Sequence, residues 1–186
     1  MVTWFYRTLR VPALLAFAGI SAGALAADNS GWAPVVSPDA FYSVETPCNT
    51  TEIATGNGVP ENPEWELKPQ TRVLCRTGHY FFVAGEVEVQ TVPDNVKTLF
   101  DWLEAGVRND KTAEGSPSTT TIGGRRVFIN RQEDSARLAQ VGFVEINKTK
   151  VVMLIGGSDG ESGSPTMQDQ RAAVDRFYTS IKVTGK

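Results

Sequence analysis

Five consecutive apolar residues, Val151-Val152-Met153-Leu154-Ile155, constrain this chain more than any other stretch. A run that short and that rich in β-branched side chains reads as a strand. No polar residue alternates through it, so both of its faces need cover. The fold must therefore place helices or loops on each side of a sheet. Gln140 to Ile146 is also strongly apolar, and Asn147-Lys148-Thr149-Lys150 between the two runs suits a tight turn.

The other elements follow from periodicity. Val35-Val36, a Ser37-Pro38-Asp39 turn and Phe41 to Glu45 read as strand signals ended by Thr46-Pro47. Residues 49–70 hold Pro60, Pro63 and Pro69 and the Thr55-Gly56-Asn57-Gly58 stretch, which exclude a long helix or a central strand. Thr71 to Arg76, a Thr77-Gly78 turn and His79 to Val89 predict a hairpin, with Phe81, Val83, Gly85 and Val87 on one side. Asp94 is a suitable N-cap. Val96, Leu99, Phe100, Leu103 and Val107 then form one apolar helical stripe that ends near Arg108-Asn109. A polar stretch, Lys111 to Thr120, leads to a strand over Arg126 to Asn130. After a glycine- and serine-rich loop at 156–164, Thr166 and Asp169 resemble a capping box, followed by the stripe Val174, Phe177, Tyr178 and Ile181. The order is strands, helix, strands, helix, with no internal repeat. One α+β domain over 34–186 is expected, behind a flexible lead-in at 27–33.

The N-terminus predicts an address. Arg7 and Arg10 precede an apolar run from Val11 to Leu25, and Ala24-Leu25-Ala26 is a small-x-small site for cleavage between Ala26 and Ala27. The run holds about fifteen residues, short of the roughly 20 that cross a bilayer. Residues 1–26 thus read as a secretory signal peptide, leaving a mature chain that is exported, periplasmic or secreted, with no stable membrane span. Their removal shifts the formal net charge from -3 to -5, because the segment carries two Arg and no acid. Arg125-Arg126 is the sole adjacent basic pair, so nucleic acid is not an expected partner.

Two cysteines remain, Cys48 and Cys75. In an oxidising compartment an even count favours a structural disulfide, which would staple both ends of the 49–70 excursion. The alternatives are a redox pair, which would usually show C-x-x-C spacing, and a zinc site, for which His79 is the one histidine available.

No pattern in the chain completes a catalytic or metal site. Gly156-Gly157-Ser158-Asp159-Gly160 matches G-x-S-x-G after an apolar strand. A nucleophile elbow needs a helix at once after the Ser and a His further along. Here Gly160 to Pro165 cannot be helical, and His79 lies upstream at a hairpin turn. Glu86 with Glu88, and Glu133 with Asp134, are carboxylate pairs that read as solvated. Asp159 and Glu161 lack the spacing of a calcium loop, and Glu61 stands where a dinucleotide fingerprint beginning at Gly56 needs its third glycine. No catalytic residue, cofactor or metal is assigned. Asn49-Thr50-Thr51 and Asn147-Lys148-Thr149 are glycosylation acceptor patterns, meaningful in a eukaryotic source.

Certain motifs are familiar together: an entry strand from Phe41 to Pro47, an aromatic-rich strand ending in Glu-Val (Tyr80 to Val89), Val92-Pro93 before a helix, Ile122-Gly123-Gly124-Arg125 into a strand, and the closing Arg176 to Val183 segment. The chain resembles the PsbP-like α/β/α fold family (Mog-type and DcrB-like members), shared by photosystem accessory proteins, a Ran-GTPase-binding protein and bacterial periplasmic proteins. The resemblance implies an antiparallel sheet sandwiched between helices and a non-catalytic accessory or binding role. It supplies no catalytic residues. Unlike the lipoprotein members, this chain has no Cys at its cut site, and the resemblance does not account for the Cys48–Cys75 pair.

The expected function is a soluble, exported, non-enzymatic accessory or binding protein of the cell envelope, its partner an envelope protein. A hydrolase using Ser158 or a carboxylate pair is one alternative. A small-molecule carrier with the 49–70 loop as lid is the other.

Overall fold

The computed structural model describes residues 31–37, 39–48, 52–56, 70–92, 94–111, 113–158, 160, 163 and 165–184, with backbone alone at 52–56 and 70–72. The expected signal segment 1–26, the expected Ala26/Ala27 cut site and the first residues of the expected lead-in lie outside them. So do Asp159, Glu161, Asn49 and most of the 49–70 excursion.

The elements run β1 (Ala33–Val36), β2 (Tyr42–Thr46), β3 (Glu52–Gly56), β4 (Gln70–Thr77), β5 (Tyr80–Glu88), α1 (Leu99–Asn109), β6 (Ser116–Ile122), β7 (Arg125–Glu133), β8 (Leu138–Glu145), β9 (Lys150–Ser158), α2 (Met167–Thr179) and β10 (Lys182–Val183). Seven strands form one antiparallel sheet in the order β3-β4-β5-β9-β8-β7-β6. β9, which carries the apolar run, sits at its middle between β5 and β8. Its faces are covered as the run demands. Val151 and Met153 pack with Leu99, Phe100, Leu103 and Val107 of α1. Val152 and Leu154 pack on the other side with Val174, Phe177 and Tyr178 of α2. Each large side chain so buried contributes about 1.5–3 kcal/mol.

The α+β class, with helices on both faces of an antiparallel sheet, is what the structure shows. One layer was not foreseen. β1, β2 and β10 form a separate three-stranded sheet, which lays Tyr42 and Val44 into the α2-side core. Ordered packing reaches back into the expected lead-in: Trp32 is half-buried, edge-on to Phe82 with centroids 5.4 Å apart.

Several boundaries differ from the expectation. α1 starts at Leu99, and its N-cap is Thr98, whose side chain accepts from the Asp101 N–H at 3.0 Å, in place of Asp94. The Leu99 N–H is held by the Lys148 carbonyl at 2.8 Å, so the β8–β9 turn sets where the helix begins. The β4–β5 turn is Gly78-His79, closed by Thr77 opposite Tyr80. β3 falls inside the 49–70 excursion and β6 inside the polar stretch. Both are edge strands, and the exposed Ser/Thr residues of β6 show no apolar alternation to reveal it. Gly123 and Gly124, with φ of 58° and 78°, make the two-residue turn into β7 that only such backbone conformations close.

The expected glycine loop at 156–164 begins instead as strand: Gly156, Gly157 and Ser158 complete β9. A Cβ on Gly157 would lie 2.5 Å from the Leu138 carbonyl and 2.7 Å from the Phe81 ring. Glycine there reflects close packing against neighbouring strands.

Candidate functional site

The small sheet is joined to the large one at both ends of β2. At the C-terminal end, Cys48 and Cys75 of β4 form a disulfide with Cα atoms 5.7 Å apart, both residues buried. Sulfurs bonded to each other do not serve as zinc ligands, so the zinc alternative does not apply to this pair. Among the described residues, no group of His, Cys, Asp or Glu could hold a metal.

At the N-terminal end the sequence places a tight loop. The Ala40 N–H bonds the Ser37 carbonyl at 2.8 Å, and Ala40 takes a φ of 56°, a strained left-handed value for a residue with a Cβ. Ser37 Oγ donates to Asp39 Oδ1 at 2.7 Å and accepts from the Phe41 and Tyr42 N–H groups at 2.9 and 3.1 Å. This winding holds the Asp39 carboxyl within hydrogen-bonding reach of Glu86 on β5. Glu86 also pairs with Lys150, the first residue of β9. The Lys150 ammonium lies 3.7 Å above the Phe41 ring centroid, so the same loop covers it.

Glu86 is not the solvated carboxylate expected of the Glu86/Glu88 pair. Its side chain is 13% exposed and that of Lys150 14%. Its Oε1 is buried and has no hydrogen-bond partner. Burial pushes the Glu86 carboxyl above its usual range, and Asp39 adds to that, although the Lys150 ion pair opposes both. For Asp39, burial acts upward too, but hydrogen bonds from the Ser37 hydroxyl and the Phe41 N–H, with the adjacent Glu86 carboxyl, outweigh it and hold that carboxyl low. Burial and the two nearby carboxyls push the Tyr42 hydroxyl up, so it stays neutral and donates to the Ala84 carbonyl at 2.8 Å. The arrangement can hold one proton between two carboxyls. Glu86 lies on the strand face that carries buried Phe82 and Ala84, which is the sequence signal that this acid needs partners.

The structure places Ser158 at the buried contact between β9 and α2. It is 5% exposed, and its hydroxyl donates to Gln170 Oε1 on α2 while facing the Leu138 N–H at 3.4 Å. Gln170 Nε2 in turn donates to the Ala136 and Pro165 carbonyls at 3.1 and 2.9 Å. The hydroxyl proton is committed to an amide oxygen, which is no base. Gln170 was missed because its partners lie in three different segments. Its position one turn into α2, where the helix still needs anchoring, was the available hint.

The remaining candidates serve as surface ties. Glu133 pairs with Arg171, and Asp134 with Arg137 at 3.0 Å. Arg126 reaches Asp101, Glu104 and Glu145 at 3.0, 3.3 and 3.5 Å, while its neighbour Arg125 donates to the Ile146 carbonyl. Asn147 is exposed in the β8–β9 turn, its Oδ1 accepting from the Thr149 N–H at 2.9 Å. His79 lies in the β4–β5 turn. Among the described residues, no helix is long and apolar enough to cross a membrane.

No protein-family model matches the chain. It is 30% identical over 115 residues to ribosomal large subunit pseudouridine synthase B of Vibrio vulnificus (strain CMCP6), a match that takes in 55% of this chain and 35% of that protein. The chain thus spans about a third of the length of the curated relative it matches.

Proposed function

We propose that this is an exported, non-enzymatic accessory or binding protein of the cell envelope, built on a PsbP-like α/β/α fold. The Cys48–Cys75 disulfide carries the reading, because such bridges persist in oxidising compartments and are rare in the cytosol. It agrees with the signal-like segment at 1–26 and with a periplasmic or secreted mature chain starting at Ala27. The burial of Ser158 against Gln170 supports a non-enzymatic role, since it occupies the hydroxyl of the sole nucleophile motif.

A synthase acting on the ribosomal large subunit is less well supported. The match covers a third of that protein, and Arg126, Arg131, Arg137, Arg171 and Arg176 are each engaged by a carboxylate instead of forming a phosphate-binding stripe.

The test is to express the full chain with a C-terminal tag, fractionate the cells and analyse the unreduced protein by mass spectrometry. A periplasmic or secreted species beginning at Ala27 with both thiols blocked is expected. A cytosolic, full-length, reduced protein would refute export. Crosslinked copurification from an envelope extract should return a recurring envelope protein above a mock control. A hydrolase screen with activity lost in Ser158→Ala would overturn the non-enzymatic reading.

A further inference from the structure

Asp39, exposed in the loop between β1 and β2 of the small sheet, lies against Glu86 on β5 of the large one. With both carboxyls ionised, one ammonium serves two negative charges, and Glu86 Oε1 is left buried without a donor. With one proton between them, Glu86 can donate to Asp39, and the trio becomes neutral overall. We propose that Asp39, Glu86 and Lys150 form a proton-operated latch between the three-stranded and seven-stranded sheets, closed when one proton is shared by the two carboxyls and loosened when it leaves.

The surroundings allow this and add little competing titration. From the β1–β2 loop come Asp39 and the Ser37 hydroxyl, from β2 the neutral Tyr42 hydroxyl, and from β9 Lys150. Glu88 follows on the same strand face, opposite Lys150 in register, and Lys182 lies exposed on β10. Glu86 is the group whose carboxyl is raised. Its contribution is therefore complete below the ordinary glutamate range and is lost as pH rises through its higher folded value. Asp39 is lowered, so its contribution persists above the ordinary aspartate range and fails only in stronger acid. The latch is tightest in mild acid, between the two.

Hydrogen exchange on the full chain reads the latch directly, with rates corrected for intrinsic chemistry at about pH 5 and about pH 7.5. Amides of Tyr42–Thr46 should exchange at least roughly threefold faster at the higher pH, relative to those of β8. In Glu86→Gln, whose amide donates to Asp39 at any pH, that ratio should fall to about one. Equal wild-type protection at both pH values, or an unchanged ratio in Glu86→Gln, would overturn the proposal. Should that variant not fold, carboxyl NMR of the wild type decides. Glu86 must titrate above and Asp39 below their ordinary values, each sensing the other, and two independent ordinary titrations would overturn the latch.

Discussion

At one end of β2 the small sheet is held by a covalent bond between Cys48 and Cys75; at the other it is held by two carboxyls and an ammonium. Both fastenings cross the same gap, from the small sheet to β4 on one side and to β5 and β9 on the other. They respond to different conditions. The disulfide acts mainly by restricting the unfolded chain and ignores protons, whereas the Asp39–Glu86–Lys150 trio acts in the folded state and depends on them. A strand fixed permanently at one end can loosen at the other without losing its register. That makes local loosening near the Ser37–Phe41 loop compatible with a fold that stays intact.

The comparison breaks most visibly at the disulfide. The double variant Cys48→Ala/Cys75→Ala reopens a loop of 27 residues, for which the chain-entropy loss is about 3–4 kcal/mol. Urea unfolding should show a much lower midpoint, with the loss the same at about pH 5 and about pH 7.5. A loss below about 1 kcal/mol would mean that packing around Tyr42 and Val44 fixes the small sheet without the bridge.

Lys150→Met attacks the other end. Glu86 would then be buried without its counter-charge, so its neutral form would be favoured further. Stability should fall by about 1–2 kcal/mol at about pH 7.5 and far less at about pH 5, because the protonated acid needs no cation. Unfolding midpoints at the two pH values measure this. Equal losses at both would show that Lys150 works through its ammonium over the Phe41 ring, a contact independent of the proton on Glu86.

Tyr42→Phe probes the strand between the two fastenings. It removes the buried hydroxyl that donates to the Ala84 carbonyl and leaves the ring in place. About 1 kcal/mol should be lost, equally at both pH values, since the hydroxyl does not titrate there. A pH-dependent loss would place Tyr42 inside the proton network.

The same contrast explains what could be read from the chain. α2 was legible because its signals are local: the Thr166–Asp169 cap, with its N–H bond at 3.2 Å, and the stripe through Val174, Phe177 and Tyr178 lie within thirteen residues of helix. The disulfide was legible from an even cysteine count together with the expected oxidising compartment. The central strand was legible because burial on both faces leaves a continuous apolar run. Edge strands β3 and β6 were not: in β6 exposure on both faces leaves no alternation to detect, and β3 falls in a stretch whose sequence is dominated by turn residues. The start of α1 was ambiguous because Asp94 and Thr98 are both good caps, and the carbonyl of Lys148 decided between them. The latch was illegible for a stronger reason. Asp39, Glu86 and Lys150 look like ordinary surface charges until three distant segments bring them together and largely bury Glu86 and Lys150.

The smallest expected effect tests that last point. Glu45 is also on β2 and also paired, with Arg176 of α2 at 2.8 Å, yet the two side chains are 36% and 50% exposed. Water screens the pair and already solvates both partners, so breaking it leaves nothing stranded. Glu45→Gln should therefore change stability by less than about 0.5 kcal/mol, with no difference between about pH 5 and about pH 7.5, as unfolding midpoints would show. Lys150→Met removes a charge partner of the same strength in geometry but not in surroundings. If Glu45→Gln proved as costly as that change, charge pairing itself would be holding the small sheet. If it stays near zero while Lys150→Met shows its pH dependence, the controlling variable is desolvation at Glu86.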